Sequence, residues 1–186
     1  RLVARHLGMA ASAGDGMLDA VLKRISSDIS IGVLLIGKNS EAMRKDLIEK
    51  TPALAARVQS TGMLDSRSLS LALQACDLML QPYPDGVSSR RTSSVNALRH
   101  GLALATTSGQ LTESFWQDAG IPLTPAGNRA AFADSVSKLL IDDALRSEAA
   151  RASERLFTQS FLPSHLVAEF RSIAGRSVLH PSGDDV

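Results

Sequence analysis

The residues best suited to chemistry lie in one stretch, Gln81-Pro82-Tyr83-Pro84-Asp85-Gly86-Val87-Ser88-Ser89-Arg90-Arg91-Thr92-Ser93-Ser94. Prolines and a glycine make a rigid turn, two arginines follow, and Thr92-Ser93-Ser94 opens a helical pattern that stops at Gly101. The first turn of a helix presents unpaired N–H groups and a partial positive charge. Arginines and hydroxyls beside it suit a phosphate or diphosphate, each charge-assisted contact contributing about 1.5–3 kcal/mol. Adjacent side chains rarely point the same way, so one of Arg90 and Arg91 is expected on phosphate and the other in a structural or acceptor-facing role. Asp85 is either a turn aspartate bonded to its own backbone or an acid that faces the ligand. Asn96, one turn inside the helix, either meets the ligand or packs on the sheet. The apolar run Leu78-Met79-Leu80 just before the turn reads as a buried strand, which puts the anion at the carboxyl end of a sheet.

Weaker candidates lie elsewhere. Gly37-Lys38-Asn39-Ser40 also follows a strand pattern and precedes a helix. Ser40 reads as an N-cap, and Lys38 either faces a phosphate or is solvated. His6 stands before a small-residue loop, Gly8 to Gly16, and either lines the cleft or packs. No G-x-G-x-x-G, Walker or G-x-S-x-G pattern is present, so a dinucleotide fingerprint, a P-loop and a serine-hydrolase elbow have no support. The single cysteine, Cys76, excludes an internal disulfide or a cysteine-based zinc site and reads as a small buried hydrophobe. No metal site is expected.

The elements that must position these residues alternate along the chain. β-type runs are expected over Leu2–Leu7, Ile29–Ile36, Arg57–Thr61, Asp77–Gln81, Leu102–Thr106 and Ile121–Thr124. Helical runs separate them: Met17–Ile25, Glu41–Lys50, a helix capped by Asp65 or Ser66, the helix after the arginines, and a stretch around Trp116. Helices then continue over Arg129–Ile141, Asp143–Phe157 and Pro163–Ile173, with a frayed tail from Gly175. This alternation predicts an α/β fold, a Rossmann-like doubly wound parallel sheet with extra C-terminal helices. Its domain spans residues 1–174, with 175–186 as a flexible tail. The 186 residues suffice for one domain with a real core. The net charge of +1 makes no case for a nucleic-acid partner, and no apolar run is long enough to span a membrane. The chain opens at Arg1 without a methionine, and a piece of something longer is expected.

Several segments taken in order resemble a known family. They are Arg57-Val58-Gln59-Ser60-Thr61-Gly62, Leu69 to Cys76, Asp77-Leu78-Met79-Leu80-Gln81-Pro82-Tyr83-Pro84-Asp85-Gly86, and Asn96-Ala97-Leu98-Arg99-His100-Gly101-Leu102-Ala103-Leu104-Ala105-Thr106-Thr107. Together they resemble the C-terminal, donor-binding half of GT-B glycosyltransferases, closest to the retaining, glycogen-synthase-like group one enzymes. The resemblance is specific from Arg57 to Gly109. The family's loop Pro-x-x-x-Glu-Gly is matched by Asp85-Gly86 with a shorter acid, and its Glu-Ala-x-x-x-Gly by Asn96-Ala97 with an amide in place of the acid. The interval between the two is lengthened by a serine-arginine segment.

What the resemblance implies is transfer of a sugar, with retention, from a nucleoside diphosphate to an acceptor. Asp85, and His6 if it lines the cleft, would act near the sugar. The base would lie against Gly62 and Met63, the ribose near Asn96, and the diphosphate at Arg90, Arg91, Thr92, Ser93 and Ser94, with Lys38 assisting. The family's diphosphate cations from the first loop have no counterpart in Gly8 to Gly14. The donor would be a UDP- or GDP-sugar and no further cofactor is required. A glycan or lipid-linked acceptor would be held by an N-terminal domain absent from this chain, as in polysaccharide biosynthesis, so the piece alone would be inactive. Such an enzyme works in the cytoplasm, and a lipid-linked acceptor would bring it to the inner face of the membrane. The alternatives are a non-catalytic nucleotide-sugar-binding or scaffold domain, which the missing second acid keeps open, and a nucleotide-sugar epimerase on the same fold.

Overall fold

The computed structural model describes the backbone of residues 5–10, residues 16–162, and residues 164 and 171. Six strands form one sheet: β1 (Arg5–Ala10), β2 (Ile31–Ile36), β3 (Val58–Ser60), β4 (Leu78–Gln81), β5 (Ala103–Ser108) and β6 (Leu123–Pro125). Every neighbouring pair is parallel and the order is β3-β2-β1-β4-β5-β6. This is the doubly wound order with its reversal between β1 and β4, where the crevice beyond the carboxyl ends receives ligands.

The helices are α1 (Met17–Ile25), α2 (Ser40–Lys50), α3 (Ser66–Gln74), α4 (Thr92–Arg99), α5 (Ser114–Asp118), α6 (Arg129–Ile141) and α7 (Asp143–Ser160). The period of two along the strands sorts side chains between two apolar layers. Ile31, Val33, Leu35, Leu78, Leu80, Ala103 and Ala105 face one layer with α1 and α6. Leu34, Ile36, Met79 and Leu104 face the other, with Leu73 of α3, Leu98 of α4, Trp116 of α5 and Leu156 of α7. Burial on both faces is why these strands read as continuous apolar runs.

Three expectations are corrected. The first strand is described over Arg5–Ala10 and runs past the expected end at Leu7, so Gly8, Met9 and Ala10 belong to the sheet and not to a loop. They pair with Leu34, Leu35 and Ile36 of β2, and ladder pairing overrides the low β-propensity of small residues. The last strand is Leu123–Pro125, later than Ile121–Thr124, because β6 pairs with the end of β5 over Thr106 to Ser108. Ser40 is not the cap of α2: Asn39 holds that position, and Ser40 is the first helical residue and fully buried. The Asp65 cap does form, accepting from the Ser68 N–H at 2.7 Å. The expected helix Pro163–Ile173 and the tail from Gly175 lie outside the described residues, apart from positions 164 and 171.

Cys76 is buried just past α3. Burial, with the neighbouring Asp77 charge adding to it, pushes its thiol up to about 11. A thiolate-directed reagent at pH 8 is expected to leave the native protein unmodified and to label one thiol after denaturation.

Candidate functional site

Three loops meet at the carboxyl edge of the sheet. The turn after β2 and the turn after β3 are joined by short hydrogen bonds. The Gly62 N–H donates to Ser40 Oγ at 2.8 Å, and the Gly37 N–H donates to Thr61 Oγ1 at 3.3 Å. Ser40 thus ties two loops together where a helix cap was expected.

The loop after β4 is held more firmly. Thr107 of β5 clamps Tyr83: its Oγ1 accepts from the Tyr83 N–H at 2.7 Å and donates to the Tyr83 carbonyl at 2.6 Å. The Thr107 carbonyl accepts from the Val87 N–H at 2.8 Å. Gly86, at φ +90°, lies backbone to backbone on Gly109. Glu113 accepts from Ser89 Oγ at 2.7 Å and from the Ser89 N–H. Partial burial pushes the Glu113 carboxyl up, but the Ser89 hydroxyl and N–H favour the ionised form and outweigh it, leaving the carboxyl below its ordinary value. A carboxyl depressed in the folded state contributes stability above its unfolded value, and that stability is lost as pH falls through the folded value. Between about pH 5 and pH 3 the melting temperature of the wild type is therefore expected to fall more than that of Glu113→Gln.

The two arginines separate. Arg91 donates to both carboxylate oxygens of Asp85, at 2.6 Å to Oδ2, and its guanidinium carbon lies 4.5 Å from the centre of the Tyr83 ring. Arg90 is exposed. Arg91 occupies the N-cap position of α4 without a side-chain hydrogen bond to the first turn, and the Ser94 N–H donates to the Arg91 carbonyl at 2.9 Å, which leaves the Thr92 and Ser93 N–H groups without a side-chain cap. The hydroxyls of Ser93 and Ser94 turn inward to Tyr83 Oη, at 2.8 and 3.1 Å. Thr92 is exposed.

A cavity of about 230 Å³ opens beside this helix, lined by Ile36, Gly37, Leu69, Leu73, Met79, Thr92, Ser93 and Asn96. Its floor is apolar and its polar groups come from one face of α4. Thr92 and Ser93, adjacent in the first turn, are thereby brought together with Asn96 one turn further on. Lys38 and Met63 are exposed, Met63 at 74%, and neither lines this cavity. His6 is the second residue of β1, opposite Gly32, four residues or roughly 13 Å short of the carboxyl edge. Its side chain lies outside the described residues, and a catalytic place in a cleft at that edge is inconsistent with its register.

Gln81 opened the expected stretch without a role of its own, and Thr107, Gly109 and Glu113 were not among the expected site residues. Gln81 carried a signal, a polar residue closing a buried apolar run. The other three are neighbours of the loop only through β5 and the chain beyond it. Among the described residues no group of three or more His, Cys, Asp or Glu could hold a metal ion, and no helix is long and apolar enough to cross a membrane.

No protein-family model and no curated protein matches the chain. Solved structures do. The C-terminal domain of a glycosyl transferase group 1 family protein (LpcC) from Francisella tularensis superposes with a TM-score of 0.69 at 17% identity, over 86% of this chain and 87% of that one. Sucrose-phosphate synthase from Thermosynechococcus elongatus gives 0.71 at 16%, over 95% of this chain and 46% of that one. Anabaena Alr3699/HepE, solved in complex with UDP, gives 0.71 at 14%, over 94% and 50%. This chain therefore spans about half the length of the latter two. At these identities the likeness is one of fold.

Proposed function

We propose that this chain, which has the Rossmann-like fold of the C-terminal domains of GT-B group 1 glycosyltransferases, is the donor-binding domain of a sugar transferase. The observation that carries the reading is the cavity at the carboxyl edge, with Thr92, Ser93 and Asn96 on its rim and the open end of α4 beside it. Its apolar floor suits a nucleoside, and Asn96 takes the ribose in place of an acid. The diphosphate lies at the end of α4 with Arg90. When the bond from the sugar to the diphosphate breaks, negative charge builds on the departing phosphate. Helix N–H groups and a guanidinium stabilise that charge without requiring a metal. UDP in the HepE structure supports a nucleotide donor for this fold, here a UDP- or GDP-sugar.

Retention, a glycan or lipid-linked acceptor on a second domain, and a cytoplasmic place of work complete the proposal. Asp85 is engaged by Arg91, and no second acid lines the cavity. These two observations favour, as a second reading, a domain that binds nucleotide-sugar without transferring it. Calorimetric titration with UDP and GDP tests the first step. Saturable binding weakened by Asn96→Ala supports the donor site, and absence of binding by both nucleotides removes it. Release of UDP or GDP from a nucleotide-sugar by the chain joined to an acceptor domain separates transfer from binding alone.

A further inference from the structure

We propose that His100 is a positioning residue for the nucleoside: its ring ties α3 to α4 and so sets the span between two walls of the cavity. The proposal rests on the donor-site reading and adds to it a residue outside the cavity lining. His100 follows α4 as its C-cap and is partly buried. Its Nδ1 lies 2.8 Å from the Asn96 carbonyl oxygen, and its Nε2 lies 2.8 Å from Ser70 Oγ of α3. A carbonyl only accepts, so Nδ1 carries the hydrogen, and Nε2 of the neutral ring accepts from the Ser70 hydroxyl. Ser70 Oγ also accepts from Gln74 Nε2 at 3.1 Å, one turn along α3.

The ring joins the two walls at defined points. Asn96 lines the cavity from α4, and Ser70 follows Leu69, which with Leu73 lines it from α3. No other hydrogen bond among the described residues joins α3 to α4. Apolar packing is non-directional, so the directional contact between these helices is the His100 ring. A ring held only by its own helix would be an ordinary C-terminal cap. The Nε2 contact, 30 residues away in the chain, serves no such cap. Its place along α4 also separates the ring from the phosphate end, since His100 lies roughly 12 Å beyond Thr92 along the helix axis. A change there reaches the nucleoside part of a ligand and leaves the diphosphate contacts alone.

The test compares Ser70→Ala, His100→Gln and His100→Asn by calorimetric titration with UDP, GDP and pyrophosphate, beside thermal melts. Ser70→Ala removes the link between the helices and leaves the ring's bond to Asn96. Alanine is a good helix former, so the melting temperature of this variant is expected to stay at the wild-type value. Its affinity for the nucleotide that binds is expected to fall about fivefold, with pyrophosphate affinity unchanged. A glutamine amide reaches as far as Nε2 and an asparagine amide only as far as Nδ1. His100→Gln is therefore expected to keep more nucleotide affinity than His100→Asn.

Unchanged nucleotide affinity in Ser70→Ala and His100→Asn overturns the proposal. So does an equal loss for nucleotide and pyrophosphate, or affinity kept by His100→Asn and lost by His100→Gln, which would mark a helix cap alone. If neither UDP nor GDP binds the wild type, the nucleotide-donor reading falls, and the side-chain NH₂ resonance of Asn96 in the ¹⁵N-labelled chain, assigned by its loss in Asn96→Ala, decides on His100. A shift of that resonance in Ser70→Ala supports the positioning role, and an unmoved resonance overturns it.

Discussion

Gly86→Ala is expected to destabilise the protein by about 3 kcal/mol, a fall of roughly 10 °C in melting temperature, and to abolish nucleotide binding. A Cβ on Gly86 would lie 2.3 Å from both the Gly109 nitrogen and Thr112 Oγ1, and the residue holds φ +90°. No rotamer relieves a collision with backbone, so one of the two loops must move. Moving the first displaces Asp85 and, through it, Arg91. Gly109→Ala meets the same contact from the other side, with its Cβ 2.6 Å from the Asp85 carbonyl. Gly127 is the control, since it also has positive φ, of +80°, but open space around its missing Cβ. Gly127→Ala is expected to cost only the backbone strain, about 1 kcal/mol. Urea unfolding of the three variants measures this. Equal losses for Gly86→Ala and Gly127→Ala would mean that the contact with Gly109 does not hold the loop.

The second large effect separates neighbouring arginines. Arg91→Ala removes the ion pair with Asp85 and the contact over Tyr83, with both charged side chains about two-thirds buried. It is expected to cost about 1–2 kcal/mol of stability, the worth of a charge-assisted bond reduced by partial solvation. Arg90→Ala removes an exposed side chain and is expected to leave stability unchanged. The same change is expected to weaken UDP or GDP binding by about tenfold at low salt, with the deficit narrowing as ionic strength rises. Paired thermal melts and titrations distinguish the two. Loss of nucleotide affinity in Arg91→Ala with unchanged melting, and none in Arg90→Ala, would reverse the assignment.

Much of the fold was legible in the sequence because the signals are local. Val33, Leu35, Leu78 and Leu80 stand two apart on one layer, with Leu34 and Met79 between them on the other. Short apolar runs of that kind between helical patterns specify a covered parallel sheet. Asp65 announced the start of α3 three residues ahead of the N–H it accepts from. Thr92-Ser93-Ser94 likewise marked the start of α4. The end of the first strand is hard to place from sequence because Gly8 and Ala10 carry little intrinsic preference, and only pairing with β2 settles such a stretch.

The sequence by itself determined the α/β class and the residue types gathered in the loop between β4 and α4. Only the tertiary structure decided what each residue touches. Arg90 and Arg91 are chemically identical, and the difference between them is set by Asp85 and Tyr83 folding back over one of them. The seryl hydroxyls that looked free for phosphate are turned to Tyr83, and Ser93 also bonds to the Gln81 amide. Thr107 and Glu113 reach the loop from 24 residues along the chain, in contacts to Tyr83 and Ser89. Hydrogen bonds at such separations depend on how the strands are ordered in the sheet, and no local pattern of residues encodes that order.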